Sequence, residues 1–444
     1  MDKIPQRSVV VIGAGVAGLA AARYLKSAGI QVTVLEKNPY VGGRVHTDCF
    51  EGLKVDTGAQ FITNFYTHTR QIIYDLGLQD DVVPITGGAS IMRNEKLYRI
   101  FPSANVIFGP LISFRSKLTL LKILAPMLSY RDDLDIYAFY KLHELDTRSI
   151  SEYVHQELDD ELLDYLFEPL LSGILYWTAQ HTSQAMLFPM LKACLGMKLF
   201  TLRDSLGSLP KAMAVGLDVQ CNAQVISVVP TSSGGYTIEA DVDDQNYQFT
   251  CDGVVCAIPA TTVSRLFPFL SVEQRAFFDA IHYSASVNAA IALDRRLPSE
   301  FYSIFCPTHE FKYLATINVE SAKNSSLLLP DRDLVELFPS GTAGRELLFD
   351  DDESIREKLC TDTRLVGPDY DLSDNGCAYH VYRWPQALPE FNVGHLKRLK
   401  AFADGKIESD HVVFAGDYIG GPYIEGAINS GLEAAYRLLR GYKD

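Results

Sequence analysis

Ser8-Val9-Val10-Val11-Ile12-Gly13-Ala14-Gly15-Val16-Ala17-Gly18 decides the fold. The apolar run at residues 9–12 reads as a strand buried on both faces. Gly13, Gly15 and Gly18 follow it with G-x-G-x-x-G spacing, and Leu19 to Ser27 reads as a helix that ends at Gly29. The first glycine permits a tight turn, the second lets backbone approach a pyrophosphate, and the third lets helix and strand pack closely. The helix N-terminus, at Val16 and Ala17, turns free N–H groups toward an anion. A second strand, Gln31 to Leu35, ends at Glu36 and Lys37. The Glu36 carboxylate is placed to accept from a ribose diol and to repel a 2′-phosphate. The unit therefore implies an adenosine diphosphate moiety of NAD or FAD, and not NADP.

The 444 residues suit a two-domain enzyme, and 47% hydrophobic content can bury a large core. Net charge is -15, and acidic clusters at Asp132-Asp133, Asp159-Asp160-Glu161 and Asp350-Asp351-Asp352-Glu353 read as solvated faces. Nucleic acid is excluded as a partner, because phosphate backbones need a basic surface. Eight scattered cysteines without C-x-x-C fit free thiols in a reducing cytosol. The short polar lead leaves no room for a secretory signal, and no run of 18 apolar residues spans a membrane. The expectation is a cytoplasmic protein. The histidines form no metal-ligand set, so His46, His143, His181 and His395 read as surface or structural, and no Ser-His-Asp triad is supported.

Beyond the first unit the pattern turns helical: 116–129, 137–142, 149–157, 160–171 and 183–198. Short strands follow around 219–221, 225–229, 235–240 and 247–251, with a turn at Ser232-Ser233-Gly234-Gly235, and Gly253 to Pro259 reads as one more buried strand. Ser286 to Leu293 and Ala378 to Tyr382 belong to a second sheet. His411 to Asp417 is a closing strand, and Gly426 to Arg440 an amphipathic helix. Phe101 to Leu128 is apolar with few charges; it suits a tunnel wall, a membrane-resting surface, or the core of the helical insertion.

Gly42-Gly43-Arg44 lies outside the ordinary NAD fingerprint. Two glycines let backbone run along an extended ligand, and a guanidinium pairs with pyrophosphate; the plain alternative is a surface turn. In Asp56-Thr57-Gly58-Ala59-Gln60-Phe61, small residues let a flat ring lie against backbone. With Phe414-Ala415-Gly416-Asp417 and Tyr423-Ile424-Glu425-Gly426-Ala427, these stretches resemble the flavin-containing amine oxidase superfamily, which includes monoamine and polyamine oxidases, protoporphyrinogen oxidases and phytoene-type desaturases.

The resemblance implies an α/β (α+β) fold of the p-hydroxybenzoate-hydroxylase type. It has a Rossmann-like FAD-binding domain (1–80, 205–280 and 395–444) and an interleaved substrate domain (81–204 and 281–394) of mixed sheet plus helical cap. Glu36 would bind the adenosine ribose, Arg44 the pyrophosphate, Val225 the adenine through backbone, and Gly416-Asp417 the ribityl chain or pyrophosphate. Gly58, Ala59, Gln60 and Phe61 would lie along the ring. The last helix, from Ile424 through Glu425-Gly426-Ala427, would aim its positive end at the flavin.

Two departures matter. Ile419 to Tyr423 holds no cysteine, so FAD should be non-covalent. No lysine stands between Lys211 and Lys312, where many amine oxidases place one near the flavin, and Arg295-Arg296 are poor substitutes. Tyr382 to Phe391 with Gly394-His395, and Leu170 to Ile174 with Thr182-Ser183 and Phe188-Pro189, resemble protoporphyrinogen oxidases, whereas the closing segment resembles amine oxidases.

The expected activity is FAD-dependent hydride removal from a C–N or C–C bond of a sizeable, mostly apolar or aromatic small molecule, with O2 or another acceptor reoxidising the flavin. Substrate-facing candidates are Gln60, Trp384 and Tyr423, with core packing the alternative reading for Trp384. Alternatives are a protoporphyrinogen-oxidase-like or polyene-desaturase-like dehydrogenase, a flavin-free escort protein on the same fold, and a sugar mutase.

Overall fold

A computed structural model describes residues 7–101, 104–232, 234–323, 331–373, 377–405, 407 and 411–442. Ser233, in the expected turn, lies outside them. The opening strand Ser8–Ile12 sits at the centre of a five-stranded parallel sheet. Gln31–Leu35 and then Asp218–Gln220 lie on one side, Gly253–Cys256 and then Val412–Phe414 on the other. Val9 to Ile12 are all buried, as a strand covered on both faces requires.

The first helix runs Val16–Ser27, three residues longer at its start than the sequence reading, so Gly18 lies inside it. A Cβ on Gly18 would sit 1.9 Å from the Gly13 carbonyl oxygen, which is the close helix–strand packing the third glycine provides. The C-terminal helix Ile424–Gly441 packs on this first helix through Gly431, whose Cβ would come 2.1 Å from the Ala17 carbonyl.

A three-stranded antiparallel sheet (Ala223–Pro230, Tyr236–Val242, Gln245–Cys251) leads back into the parallel sheet. The second large sheet has seven strands. Their order is Ala378–Trp384, Ser286–Leu293, Asp333–Pro339, Leu314–Val319, Phe301–Phe305, Gly88–Arg93 and Lys96–Arg99. Only Phe301–Phe305 and Gly88–Arg93 pair parallel among these. Phe301–Phe305, Leu314–Val319 and Asp333–Pro339 went unread in the sequence because every residue in them is buried, so no alternation marks them. The expected helix 183–198 stops at Cys194; Gly196, at φ +70°, turns the chain into the strand Leu199–Leu202.

His395 is fully buried and joins Gly394 at the start of the helix His395–Ala403 to the C-terminal segment. Its Nε2 donates to the Tyr418 carbonyl at 3.1 Å. Burial first, then the Arg398 charge, pushes its pKa down to about 3. The unfolded chain therefore binds a proton that the folded one refuses between pH of about 6.5 and about 3. Stability is fully present above that window and should fall by up to about 1.4 kcal/mol per pH unit within it. Urea titrations at pH 7, 6 and 5 check this: a His395→Gln variant should show a flatter acid limb than the native chain.

Candidate active site

One cavity of 1270 Å³ runs from the glycine cradle to the helices that cover the second sheet. At the cradle end, Gly42 N–H donates to the Ala14 carbonyl at 2.8 Å, which draws the second glycine pair against the first. A Cβ on Gly15 would meet nothing within 4 Å, so this residue faces open cavity. Glu36, 4% exposed, ends the second strand and lines the cavity. It accepts from Ala14 N at 2.7 Å and from Asn38 N and Nδ2 at 2.9 and 2.8 Å. Lys37 and Val225 line the same end.

Arg44 grips Asp417 in a two-pronged ion pair, Nη1–Oδ2 at 2.7 Å and Nη2–Oδ1 at 3.0 Å, and donates to the Ala387 carbonyl at 2.9 Å. Burial alone would lower the Arg44 pKa; the Asp417 carboxylate beside it outweighs that and raises it. Two segments more than 370 residues apart thus meet midway along the cavity. Next to them lie Gly58, Ala59, Gln60 and Phe61. A Cβ on Gly58 would sit 2.3 Å from the Arg44 carbonyl, so only glycine lets these two backbones lie together. Trp384 Nε1 donates to the Thr57 carbonyl at 2.6 Å, which holds the indole on the cavity wall rather than in the core.

Tyr423 lines the cavity with its hydroxyl donating to the Ile136 carbonyl. Its ring stacks on Tyr66 with centroids 5.8 Å apart. Burial first, then the neighbouring phenols and Glu425, raises the Tyr423 pKa, so the phenol stays protonated.

Two residues grouped with the cofactor set in the sequence belong elsewhere. The fully buried Glu425 carboxylate accepts from His68 N at 2.7 Å, Thr69 N at 2.8 Å, Thr69 Oγ1 at 2.6 Å and Tyr137 Oη at 2.6 Å. It caps the N-terminus of the helix Thr67–Asp75, whose own N-cap residue Tyr66 supplies no side-chain bond. Gly426 is a packing glycine: its Cβ would come 2.5 Å from the Gly420 carbonyl. From this segment Ile424 and Ala427 face the cavity.

The far end was invisible in the sequence. Helices Glu168–Leu175 and Leu187–Cys194 supply Ile174, Leu175 and Met190, and the second sheet supplies Ser303, Thr316 and Asn318. Behind Gln60 stands Lys323, 1% exposed, 3.3 Å from Asp56 and 3.4 Å from Glu320. The sequence search for a lysine stopped at Lys312; nothing local marks Lys323 as buried.

The cavity fits FAD. It opens at Gly15, where a pyrophosphate would approach, and it holds the Glu36 carboxylate at one end and the Arg44–Asp417 ion pair midway.

A family profile described as flavin containing amine oxidoreductase matches residues 16–439. Protoporphyrinogen oxidase 2 of Arabidopsis thaliana is 23% identical over 98% of this chain and 94% of its own length. Among solved structures, a putrescine oxidase bound to putrescine superimposes with a TM-score of 0.77 at 20% identity, covering 98% of this chain and 99% of its own. Cyclohexylamine oxidase from Brevibacterium oxydans gives a TM-score of 0.77 at 16% identity over 99% of this chain and 100% of its own.

Proposed function

The chain belongs to the flavin containing amine oxidoreductases, and on that premise we propose that it oxidises a neutral, largely apolar molecule with a flat ring. FAD, the family's cofactor, supplies the hydride acceptor. Gly13, Gly15, Val16, Ala17, Glu36, Lys37 and Val225 would hold its adenosine half, Gly42, Gly43, Arg44 and Asp417 its pyrophosphate, and Gly58 to Phe61 with Ile424 and Ala427 its ring.

One observation carries the substrate class. Among the described residues, the two helices and two strands that close the far end contribute no charged side chain to the cavity. A diamine there would lack a carboxylate and a polyacid would lack a cation, and unpaired charge in such a place is costly. Met186, Met190, Cys194 and Met197, all from one segment, line the cavity, and such polarisable side chains suit an aromatic face. Trp384 and Tyr423 would flank the reacting end.

The first test is the absorbance of the purified protein, with acid precipitation releasing the flavin as expected where residues 419–423 offer no cysteine. Anaerobic bleaching by a panel of neutral aromatics, polyenes and diamines then reads the substrate class. Neutral members should bleach the flavin fastest; a diamine that outpaces them overturns the proposal.

We also propose that one helical face docks on an anionic membrane surface. The continuous helical stretch Phe114–Leu120, Leu121–Ile123 and Leu124–Ser129 exposes Phe114, Leu118, Leu121, Leu124 and Leu128, with Phe108 at 85% exposure nearby. These follow one side of the helix, whereas Leu111, Ile112 and Ile123 of the same region are buried in the core. Residues 96–131 hold six basic and no acidic side chains in a chain of net charge -15. Three of the six pair with carboxylates, Arg99 with Glu300, Arg115 with Asp159 and Arg131 with Asp132, and Asp132-Asp133 follow the stretch directly. Apolar face and local positive charge together match an anionic lipid surface. No helix among the described residues is long and apolar enough to cross a membrane.

Co-sedimentation with phosphatidylserine-containing vesicles should capture the protein at low salt, and a Leu121→Glu/Leu128→Glu variant should stay in solution. Absence of capture, or a dimer in solution that the same variant dissociates, overturns the lipid assignment.

A further inference from the structure

Lys323 fixes the direction of a chain of hydrogen bonds that ends on the substrate wall. Its ammonium lies 3.4 Å from Gln60 Oε1. Gln60 Nε2 donates to the Asp56 carbonyl on the other side. An ammonium only donates and a carbonyl only accepts, so the Gln60 amide has one possible orientation. Every later bond then has a forced direction. Tyr302 Oη, 3.2 Å from Gln60 Oε1, must donate to it. The Tyr302 oxygen accepts from Asn318 Nδ2 at 3.3 Å. Asn318 Oδ1 therefore faces Ser303 and takes its hydroxyl hydrogen at 2.8 Å.

Ser303 and Asn318 pair across neighbouring strands and both line the cavity. Thr316, two residues before Asn318 and on the same face, commits its hydroxyl hydrogen to the Gly173 carbonyl at 3.1 Å. Both cavity hydroxyls have thus given their hydrogens to the protein. What these two keep for a ligand is lone pairs, in a wall without charge whose other polar side chains include Asn318 and Tyr176.

We infer that Ser303 and Thr316 form an acceptor-only site that selects a substrate carrying an N–H or O–H donor, and that Tyr302 and Lys323 are positioning residues that set this polarity from behind the wall. The inference rests on the neutral substrate class proposed above. A ligand without a donor would leave both acceptors unanswered, whereas one with a donor answers at least one of them. Gly173 belongs to the same device: its Cβ would come 2.2 Å from Thr316 Oγ1, so only glycine lets the helix carbonyl reach that hydroxyl.

The test uses flavin-loaded protein and two probes of the same ring, indole and N-methylindole, titrated by calorimetry. The native protein should bind indole up to about tenfold more tightly, the worth of the one hydrogen bond its single N–H can donate. Ser303→Ala/Thr316→Val should remove the preference while leaving N-methylindole affinity unchanged or improved. Tyr302→Phe keeps both hydroxyls but frees the Asn318 amide to turn, and it should cut the preference by at least half; a merely structural role for Tyr302 would lower both affinities alike. Lys323→Met should match Tyr302→Phe, and Tyr302→Phe decides if the lysine variant does not fold. Equal binding of the two probes by the native protein, or a preference unmoved by the double variant or by Tyr302→Phe, overturns the inference and leaves the neutral substrate class standing. Binding of neither probe, together with tight binding of a diamine, overturns both.

Discussion

Replacing Gly15 with valine should yield a folded protein that holds no flavin. Gly15 has extended backbone, φ -68° and ψ 171°, which any residue adopts. A Cβ there meets no protein atom within 4 Å, so the fold leaves room for a side chain to start. The room it takes is the cradle mouth, where Glu36, Gly42 and Gly43 converge. A pyrophosphate seated on the helix N-terminus would collide with the valine methyls. Flavin affinity should fall at least about 100-fold, near 3 kcal/mol, while the apoprotein melting temperature stays within a few degrees of native. Gly18→Val is the contrast: its Cβ starts 1.9 Å from the Gly13 oxygen, so helix and strand must separate and the protein itself should be destabilised. Flavin content by absorbance and melting of the apoproteins separate the two. A Gly15→Val protein that purifies with full flavin would show that the cradle is not where the cofactor's phosphates lie.

The largest stability effect should come from Lys323→Met. The ammonium sits among Asp56, Glu320 and Glu336, with the Tyr302 ring centroid 5.4 Å away. Burial alone would depress the Lys323 pKa, but Glu320, Tyr302 and Asp56 around it hold it well above its ordinary value. Burial raises the pKa of both Glu320 and Glu336. Removing the ammonium leaves buried carboxylates without their cation, a loss of about 3–5 kcal/mol.

The pH dependence has a definite sign. Lys323 lowers the pKa of both glutamates, so in the variant they rise further above their unfolded values. A carboxyl whose folded pKa is raised contributes stability below its unfolded pKa and loses it as pH rises through the folded one. The variant's deficit should therefore be small near pH 5 and grow toward pH 8, measured by urea unfolding. Adding Glu320→Gln and Glu336→Gln should recover most of the loss, because neutral amides need no counter-charge. A deficit that shrinks with rising pH would mean that the ammonium is not what compensates this cluster.

The nucleotide end was legible from residue order, and the substrate end was not. Gly13, Gly15 and Gly18 act within one turn of chain, and Glu36 follows one strand later, so spacing alone conveys their geometry. Arg44 and Asp417 could be named as separate candidates, yet their two-pronged contact spans 373 residues and appears only when the chain is folded. Glu425 shows the limit of reading roles from proximity. It stands beside cavity residues in sequence, but the nearest unsatisfied N–H groups belong to His68 and Thr69, and its carboxylate turned to them.

Residue order settled the cradle this chain carries: glycine turns, a helix end and a carboxylate one strand later are short-range devices whose spacing conveys their geometry. Tertiary packing settled which side chains line the far end of the cavity and how they are bonded. Ser303, Asn318, Tyr302, Gln60 and Lys323 have unremarkable sequence neighbours, and the bond from Lys323 to Gln60 alone bridges 263 positions. Hydrogen-bond direction in a buried network depends on which donor meets which acceptor, and only the registers of the seven-stranded sheet bring those partners together.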